Sequence, residues 1–178
     1  GRAMQDDLTD SVHWAINQGI ADPKRVAIYG GSYGGYAALA GATFTPDLYC
    51  CAVDIVGISN VITFINSIPP YWEVALGMFK RRVGDAETEQ DFLKSISPLF
   101  HIDAIKIPLL IAQGANDPRV KQAESEQIVA ALKAKGLEYE YLLFPDEGHG
   151  FVKPENRLTF YKSAEAFLAK YLGGNYEN

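Results

Sequence analysis

Three side chains that could together activate a nucleophile each follow a predicted strand of this sequence. Ser32 lies in the run GGSYGG, Asp117 in NDPR and His149 in EGHG. A serine hydroxyl needs a base to take its proton, and the base needs an acid that holds its tautomer. The order Ser, Asp, His is typical of one class of parallel α/β sheet. We therefore expect acyl-transfer chemistry at these three residues.

The residues around Ser32 have the pattern of a sharp turn between a strand and a helix. Apolar residues 26–29 precede the turn, and small residues 36–40 follow it. Gly30 and Gly34 complete a G-x-S-x-G pattern, in which the serine occupies a strained backbone conformation and a Cβ on either flanking glycine is expected to clash. A glycine-rich turn that binds a phosphate or nothing is the alternative. Neither a G-x-G-x-x-G register nor a P-loop lysine is present.

The two partners expected for the serine also have non-catalytic interpretations. Asp117 precedes a proline and could simply initiate a turn, and His149 lies between glycines and could be a solvated loop residue. His13 and His101 do not follow a predicted strand, which disfavours them as the base. The acidic pair 146–147 shares a loop with His149, and residues so close in sequence rarely reach each other in the required way. Asp117 and His149 are therefore the favoured pair.

Strands and helices alternate along the predicted chain. Apolar runs predict strands at 26–29, 50–56, 108–112 and 139–144, and helical spacing predicts helices at 6–18, 36–44, 90–96, 121–135 and 156–172. Residues 58–78 are mixed and predict no single element. The alternation indicates an α/β fold with a mostly parallel sheet of about four strands and helices on both faces. Side chains that follow the strands then meet at one edge of the sheet.

Composition limits the class of protein. The 178 residues suit a single domain, 1–178, and the formal charge of −6 disfavours a nucleic-acid partner. No apolar run is long enough to span a membrane. Cysteines that are adjacent in sequence, as Cys50 and Cys51 are, rarely form a disulfide with each other. The histidines and cysteines also lack the spacing of zinc ligands. We expect no metal, no cofactor and a cytoplasmic location.

The runs GGSYGGY, GANDPRV and DEGHGF resemble the three catalytic motifs of the prolyl oligopeptidase family of serine peptidases, within the α/β-hydrolase superfamily. The resemblance covers nearly the whole chain, including IPPYW and RVGD. It implies hydrolysis of peptide or acyl-peptide bonds by a Ser-His-Asp triad through an acyl-enzyme. It further implies that the Tyr33 N–H donates to the oxyanion and that Tyr71, Trp72 and Val120 bind the acyl side of the substrate.

The resemblance also predicts an N-terminal truncation of the hydrolase domain. Members of the family have a β-propeller, several strands and a helix before the nucleophile strand, and a tyrosine hydroxyl from that region is their second oxyanion donor. Loss of one such donor typically lowers turnover ~100- to 1000-fold. Three alternatives therefore stay open: a peptidase, an esterase acting on small acyl esters, and a fragment whose catalysis is impaired.

The predicted truncation has a consequence for assembly. The strand at 26–29 would lie inside the sheet of a complete hydrolase domain, so here one of its edges would carry unpaired backbone groups along an apolar run. Such edges pair with other chains unless charges or prolines protect them. We expect the chain to form a homo-oligomer through this edge.

Overall fold

Four parallel strands alternate with α-helices in residues 2–68 and 70–176, which are the residues that the computed structural model describes. Gly1, Pro69, Glu177 and Asn178 lie outside the described residues, as do the two ends of the predicted domain and part of the IPPYW run. The strands are β1 (Ala27–Gly31), β2 (Cys51–Ile55), β3 (Leu109–Gly114) and β4 (Tyr139–Phe144). The helices are α1 (Arg2–Asn17), α2 (Tyr33–Phe44), α3 (Val61–Asn66), α4 (Glu73–Arg82), α5 (Gln90–Ser95), α6 (Gln122–Lys135) and α7 (Pro154–Leu172).

The strands pair in chain order, β1-β2-β3-β4, and every pairing is parallel. Parallel neighbours need a crossover between them, and helices supply these crossovers. The sequence had predicted a β1 that stopped before the glycines. Instead the strand continues through Gly30 and Gly31, because the ladder to β2 places them opposite Asp54 and Ile55.

Helices cover both faces of the sheet. On one face, α2 and α6 bury Leu39, Ile128 and Leu132 against Leu109 and Ile111 of β3. On the other face α7 packs over the alternate residues of β2, β3 and β4, contributing Phe160, Ala164 and Phe167 to the cluster. This alternation is what a parallel sheet buried on both faces requires. The predicted α/β architecture, with about four parallel strands between helices, is confirmed.

The segment between β2 and β3 differs most from the sequence prediction. It contains α3, a short 3-10 turn at Pro70–Trp72, α4, α5 and a second 3-10 turn at Pro98–Ala104. Of the α-helices in this segment, the sequence predicted only the one near 90–96, and it also predicted a short turn from Ser97 to Ile105. These elements form their own apolar cluster with the start of α2, in which Phe64, Leu93 and Val120 are buried.

The edge of β1 that faces away from β2 is partly exposed. Within the described residues β1 pairs only with β2, and Tyr29 on this strand is 47% exposed. The Arg25 guanidinium before the strand donates to the Gly173 carbonyl at the end of α7 (3.0 Å), so this charge holds the helix end. No helix among the described residues is both long and apolar enough to cross a membrane.

Candidate active site

Ser32 occupies the turn between β1 and α2 in a backbone conformation that residues with a side chain rarely adopt. Its φ is 59° and its ψ is −115°. The Ser32 N–H donates to the Ile55 carbonyl of β2 (2.8 Å), and the Ser32 carbonyl accepts from the Tyr36 N–H of α2 (3.0 Å). Bonds to a strand and to a helix therefore hold the turn, and the hydroxyl projects beyond the carboxyl end of β1.

Two glycines, Gly30 and Gly35, allow the close approach that this turn needs. A Cβ on Gly30 would lie 2.3 Å from the carbonyl oxygen of Gly34, and a Cβ on Gly35 would lie 2.3 Å from a carboxyl oxygen of Asp54. By contrast, a Cβ on Gly34 would meet no atom within 4 Å. The expectation that both glycines flanking Ser32 exclude a side chain is thus wrong for Gly34. The crowded position is Gly35, where α2 packs onto β2.

Asp117, His149 and Ser32 form one hydrogen-bonded chain across three strand ends. Nδ1 of His149 lies 2.7 Å from Oδ2 of Asp117, and Nε2 lies 2.9 Å from Oγ of Ser32. The Asp117 side chain is fully buried and that of His149 is 15% exposed. With the hydrogen of the imidazole on Nδ1 and donated to the carboxylate, Nε2 accepts from the serine hydroxyl.

Asp117 also initiates the turn that precedes α6. Its Oδ1 accepts from the backbone N–H groups of Arg119 (2.8 Å) and Val120 (2.9 Å). One carboxyl oxygen thus fixes the turn and the other faces His149. The turn interpretation of Asp117 thus agrees with the structure, and its role as the partner of His149 stays a prediction.

The loop with His149 is fixed by contacts that the sequence pattern did not indicate. Glu147 is 3% exposed, and its carboxylate accepts from the backbone N–H groups of Val152 (2.9 Å) and Lys153 (2.8 Å). At the end of β3, a Cβ on Gly114 would lie 2.2 Å from the Gly148 carbonyl oxygen. The loop therefore packs directly on the end of β3, next to the turn with Asp117.

The competing histidines and acids have other surroundings. His13 is exposed on α1, and Nε2 of His101 lies 3.1 Å from a backbone carbonyl oxygen. Asp146 forms an ion pair with Lys153 on the surface. None of these side chains contacts Ser32 among the described hydrogen bonds and ion pairs, so the structure brings together only the favoured set.

A cavity of about 320 Å³ opens beside Ser32. Trp72 and Val120 contribute to its lining, together with the apolar side chains of Ile58, Val61 and Phe64. Tyr71 packs edge-on against Trp72 (ring centroids 6.3 Å apart) but is 65% exposed and is not part of the described lining. The side chain of Tyr33 lines the cavity, and its backbone N–H, at the first position of α2, has no intrahelical acceptor.

The chain matches one protein family over almost its full length. Residues 1–175 match the model of the prolyl oligopeptidase family. The chain belongs to this family. The resemblance of the three motifs is thereby confirmed.

Relatives within this family are long proteins. Over 176 residues the chain is 55% identical to dipeptidyl aminopeptidase BIII of Pseudoxanthomonas mexicana, a match that covers 98% of the chain and 26% of the relative. It is 49% identical to dipeptidyl peptidase family member 6 of Caenorhabditis elegans, covering 98% of the chain and 24% of that protein. A puromycin-hydrolysing peptidase from Mycobacterium tuberculosis superposes with a TM-score of 0.89 at 33% identity, over 96% of the chain and 25% of that structure. The chain spans about a quarter of the length of each of these three proteins.

Asp54 is an unusual buried acid directly behind the Ser32 turn. It is 1% exposed, and neither carboxyl oxygen has a hydrogen-bond partner among the described residues. Burial raises the pKa of Asp54 to about 7, and the nearby Glu124 carboxyl adds to the shift. The Gly57 N–H lowers this pKa in part, although it does not meet the geometry of a hydrogen bond. Below about pH 7 the neutral form of Asp54 is therefore the one that the folded protein favours.

The first prediction concerns the two neighbouring glycines of the turn. Gly35→Ala should destabilise the fold by about 1–3 kcal/mol, because the new methyl group has to displace Asp54 or the backbone of β2. Gly34→Ala is the matched control and should change stability by less than ~1 kcal/mol, since its Cβ meets open space. Guanidinium titrations measure both. Equal losses in the two variants would contradict the assignment of the crowded position.

The second prediction concerns Asp54 and pH. The ordinary pKa of an aspartate carboxyl is 3.8, and that of Asp54 in the folded state is about 7. Between these two pH values the folded state keeps the proton on Asp54, whereas the unfolded chain has released it. The free energy of unfolding should therefore fall as pH rises through this window. Ionisation of Asp54 should lower the free energy of unfolding by about 4 kcal/mol over the whole window, at ~1.4 kcal/mol per pKa unit.

Asp54→Asn cannot ionise and should lose that part of the pH dependence. Urea titrations at pH 5 and pH 8 would measure about 3 kcal/mol of it, because only about two pKa units of the window lie above pH 5. The exposed Asp10→Asn on α1 is the control and should keep the pH dependence of the unaltered protein. If Asp54→Asn kept the same difference between the two pH values, Asp54 would not titrate in this range.

Proposed function

We propose that this chain is the catalytic region of a serine hydrolase that cleaves peptide or acyl-peptide bonds through an acyl-enzyme. The observation that supports it is the hydrogen-bonded chain from Asp117 through His149 to Ser32, with distances of 2.7 and 2.9 Å. Ser32 is the nucleophile, His149 the general base and Asp117 the residue that orients the base.

The reaction would proceed in two displacements on one carbonyl carbon. Nε2 of His149 takes the hydroxyl proton as Oγ of Ser32 bonds to the carbonyl carbon, and the protonated imidazole then gives that proton to the departing amine. A water molecule, activated by the same imidazole, hydrolyses the resulting ester. The buried carboxylate of Asp117 stabilises the imidazolium that forms between the steps.

The Tyr33 N–H is the proposed donor to the oxyanion. It stands at the N-terminus of α2, where the free N–H groups and the helix dipole favour a developing negative charge. Its position directly after the nucleophile supports this role, because the tetrahedral carbon bonded to Ser32 lies within reach of the next residue's backbone.

The cavity beside Ser32 is the proposed site for the acyl side of the substrate. Trp72 and Val120 line it, and the remaining walls are mostly apolar, so we expect a preference for large apolar groups. Tyr71 stays a prediction, and its exposure favours packing on Trp72 over contact with substrate. The names of the relatives describe hydrolysis of peptides and of puromycin, and we propose the same substrate class for the protein to which this chain belongs.

Ester hydrolysis is the second candidate within the same chemistry. One oxyanion donor, the Tyr33 N–H, is assigned among the described residues, and esters with good leaving groups depend less on oxyanion stabilisation than amides do. An activated ester is therefore the first substrate to assay, followed by aminoacyl and dipeptidyl amides. Turnover of esters alone would favour the esterase.

The third prediction tests the proposed nucleophile and base. A fluorophosphonate probe should label the unaltered chain, and Ser32→Ala should abolish the labelling without a loss of stability. His149→Gln should slow labelling ~100- to 10 000-fold, because general-base catalysis is lost.

His101→Gln is the matched control for the base. His101 lies away from Ser32 and contacts a backbone carbonyl, so this variant should label at the unaltered rate. Labelling of Ser32→Ala at the unaltered rate would point to another nucleophile, and rapid labelling of His149→Gln would point to another base.

We propose that the chain in isolation self-associates through the outer edge of β1. Its unpaired backbone groups within the described residues and the 47% exposed Tyr29 support this. A cytoplasmic location also stays a prediction, and the free thiols of Cys50 and Cys51 are compatible with a reducing compartment.

The fourth prediction is a dimer or larger assembly at micromolar concentration, measured by light scattering after size exclusion. Tyr29→Lys should shift the population towards monomer, because a charge on an edge strand opposes pairing. Leu143→Lys on β4, at the opposite edge of the sheet, is the control; its side chain is 39% exposed, and the variant should leave the mass unchanged. A monodisperse monomer of the unaltered chain would rule out this mode of association.

A further inference from the structure

A second cavity, of about 520 Å³, lies behind the one at Ser32. It is enclosed by α1, α2, α5 and the 3-10 turn at Pro98–Ala104, and its lining includes Gln5, Asp6, Phe44, Phe92, Ser95 and His101. Tyr36 and Ile96 line both cavities. The Tyr36 hydroxyl donates to the Ile96 carbonyl (2.9 Å), so this pair forms the wall between the two spaces.

Gln5 is the feature of this second cavity that points to a ligand. The residue is 7% exposed, and its Nε2 has no hydrogen-bond acceptor among the described residues. Buried amide groups in folded proteins are nearly always paired, because an unpaired donor has lost its water without compensation. A bound molecule with an oxygen acceptor would satisfy this donor.

The other polar groups of the lining are mainly acceptors. Asp6 supplies a carboxylate at the open side of the cavity. Nε2 of His101 lies 3.1 Å from the Ser95 carbonyl oxygen, so Nε2 carries the hydrogen and Nδ1 has a free lone pair. The Ser95 hydroxyl donates to the Phe92 carbonyl (2.6 Å) and keeps its own lone pairs free to accept. Acceptors around a carboxylate favour a ligand that is a cation with N–H donors.

Aromatic side chains supply the rest of the lining. The rings of Phe44 and His101 pack edge-on, with centroids 5.0 Å apart, and Phe92 and Tyr36 add further aromatic surface. Aromatic faces attract ammonium groups and stack against aromatic rings. The lining thus combines one buried donor, one carboxylate and several aromatic rings.

We propose that this cavity binds a primary amine carried on an aromatic body that also has a carbonyl oxygen, as in the amide of an aromatic amino acid. The ammonium group pairs with Asp6, and the carbonyl oxygen accepts from Nε2 of Gln5. The aromatic body packs against Phe44 and Phe92. This site is separate from the cavity at Ser32, and the proposal does not depend on hydrolysis at Ser32.

The test measures binding of L-phenylalanine amide by titration calorimetry. Ser32→Ala is the background for every measurement, so that no hydrolysis can occur and failure of the proposed function does not affect the result. We expect binding whose affinity depends on Asp6 and Gln5. The described lining of the cavity at Ser32 includes Arg82 and Arg119 but no carboxylate, so it offers the ammonium group no ion-pair partner. N-acetyl-L-phenylalanine amide, which lacks the ammonium group, should bind at least tenfold more weakly.

Variants locate the binding site. Asp6→Asn and Gln5→Leu should each weaken L-phenylalanine amide at least about tenfold, since each removes one charge-assisted or buried polar contact. Asp7 is an exposed neighbour of Asp6 outside the described lining. Asp7→Asn is the matched control and should bind L-phenylalanine amide with the affinity of the Ser32→Ala background. Asp6 is exposed, so its variant tests the site even if Gln5→Leu fails to fold.

Two results would overturn the proposal. The first is the absence of binding at millimolar L-phenylalanine amide. The second is binding that Asp6→Asn and Gln5→Leu leave unchanged, which would assign the ligand to another surface, with the cavity at Ser32 as the first candidate. A tenfold loss in Asp6→Asn that disappears for the acetylated ligand supports the proposed pairing of the ammonium group.

Discussion

The arrangement of this site depends on the backbone of Ser32, which is held at a φ of 59°. Such a conformation costs a side-chain-bearing residue about 1–3 kcal/mol and persists only where the surroundings fix it. Here the Ile55 carbonyl of β2 and the Tyr36 N–H of α2 hold the residue from both sides. Gly30 and Gly35 allow the two backbones to approach closely enough for those bonds. The strain is thus sustained by the β1-β2 register and by the first turn of α2.

Buried carboxylates hold the loops around this turn. Asp117, Glu124 and Glu147 are each nearly inaccessible, and each accepts from backbone N–H groups of a loop at the carboxyl ends of the strands. Bonds from N–H groups to a charged carboxylate are stronger than those between neutral groups and stabilise irregular backbone in a low-dielectric interior. Asp54 is the fourth acid of this set and lacks such bonds within the described residues. Its burial raises its pKa to about 7.

Sequence patterns predicted the sheet and the meeting of Ser32, Asp117 and His149 at its edge. Both follow from local periodicity and from the rule that the carboxyl ends of parallel strands share an edge. They did not predict which glycine is crowded. The G-x-S-x-G spacing is local, whereas the obstacle at Gly35 is Asp54 on the neighbouring strand. The same reason applies to Glu147, whose partners become apparent only when the loop is folded.

The first turn of α2 connects the two cavities of the molecule. The Tyr36 N–H bonds to the Ser32 carbonyl, while the Tyr36 ring separates the cavity at Ser32 from the one at Gln5. Burial, with the neighbouring Tyr33 hydroxyl adding to it, raises the pKa of Tyr36 to about 12, so the hydroxyl stays a donor to the Ile96 carbonyl at ordinary pH. Tyr36 therefore supports the Ser32 turn through its backbone and separates the two cavities with its side chain.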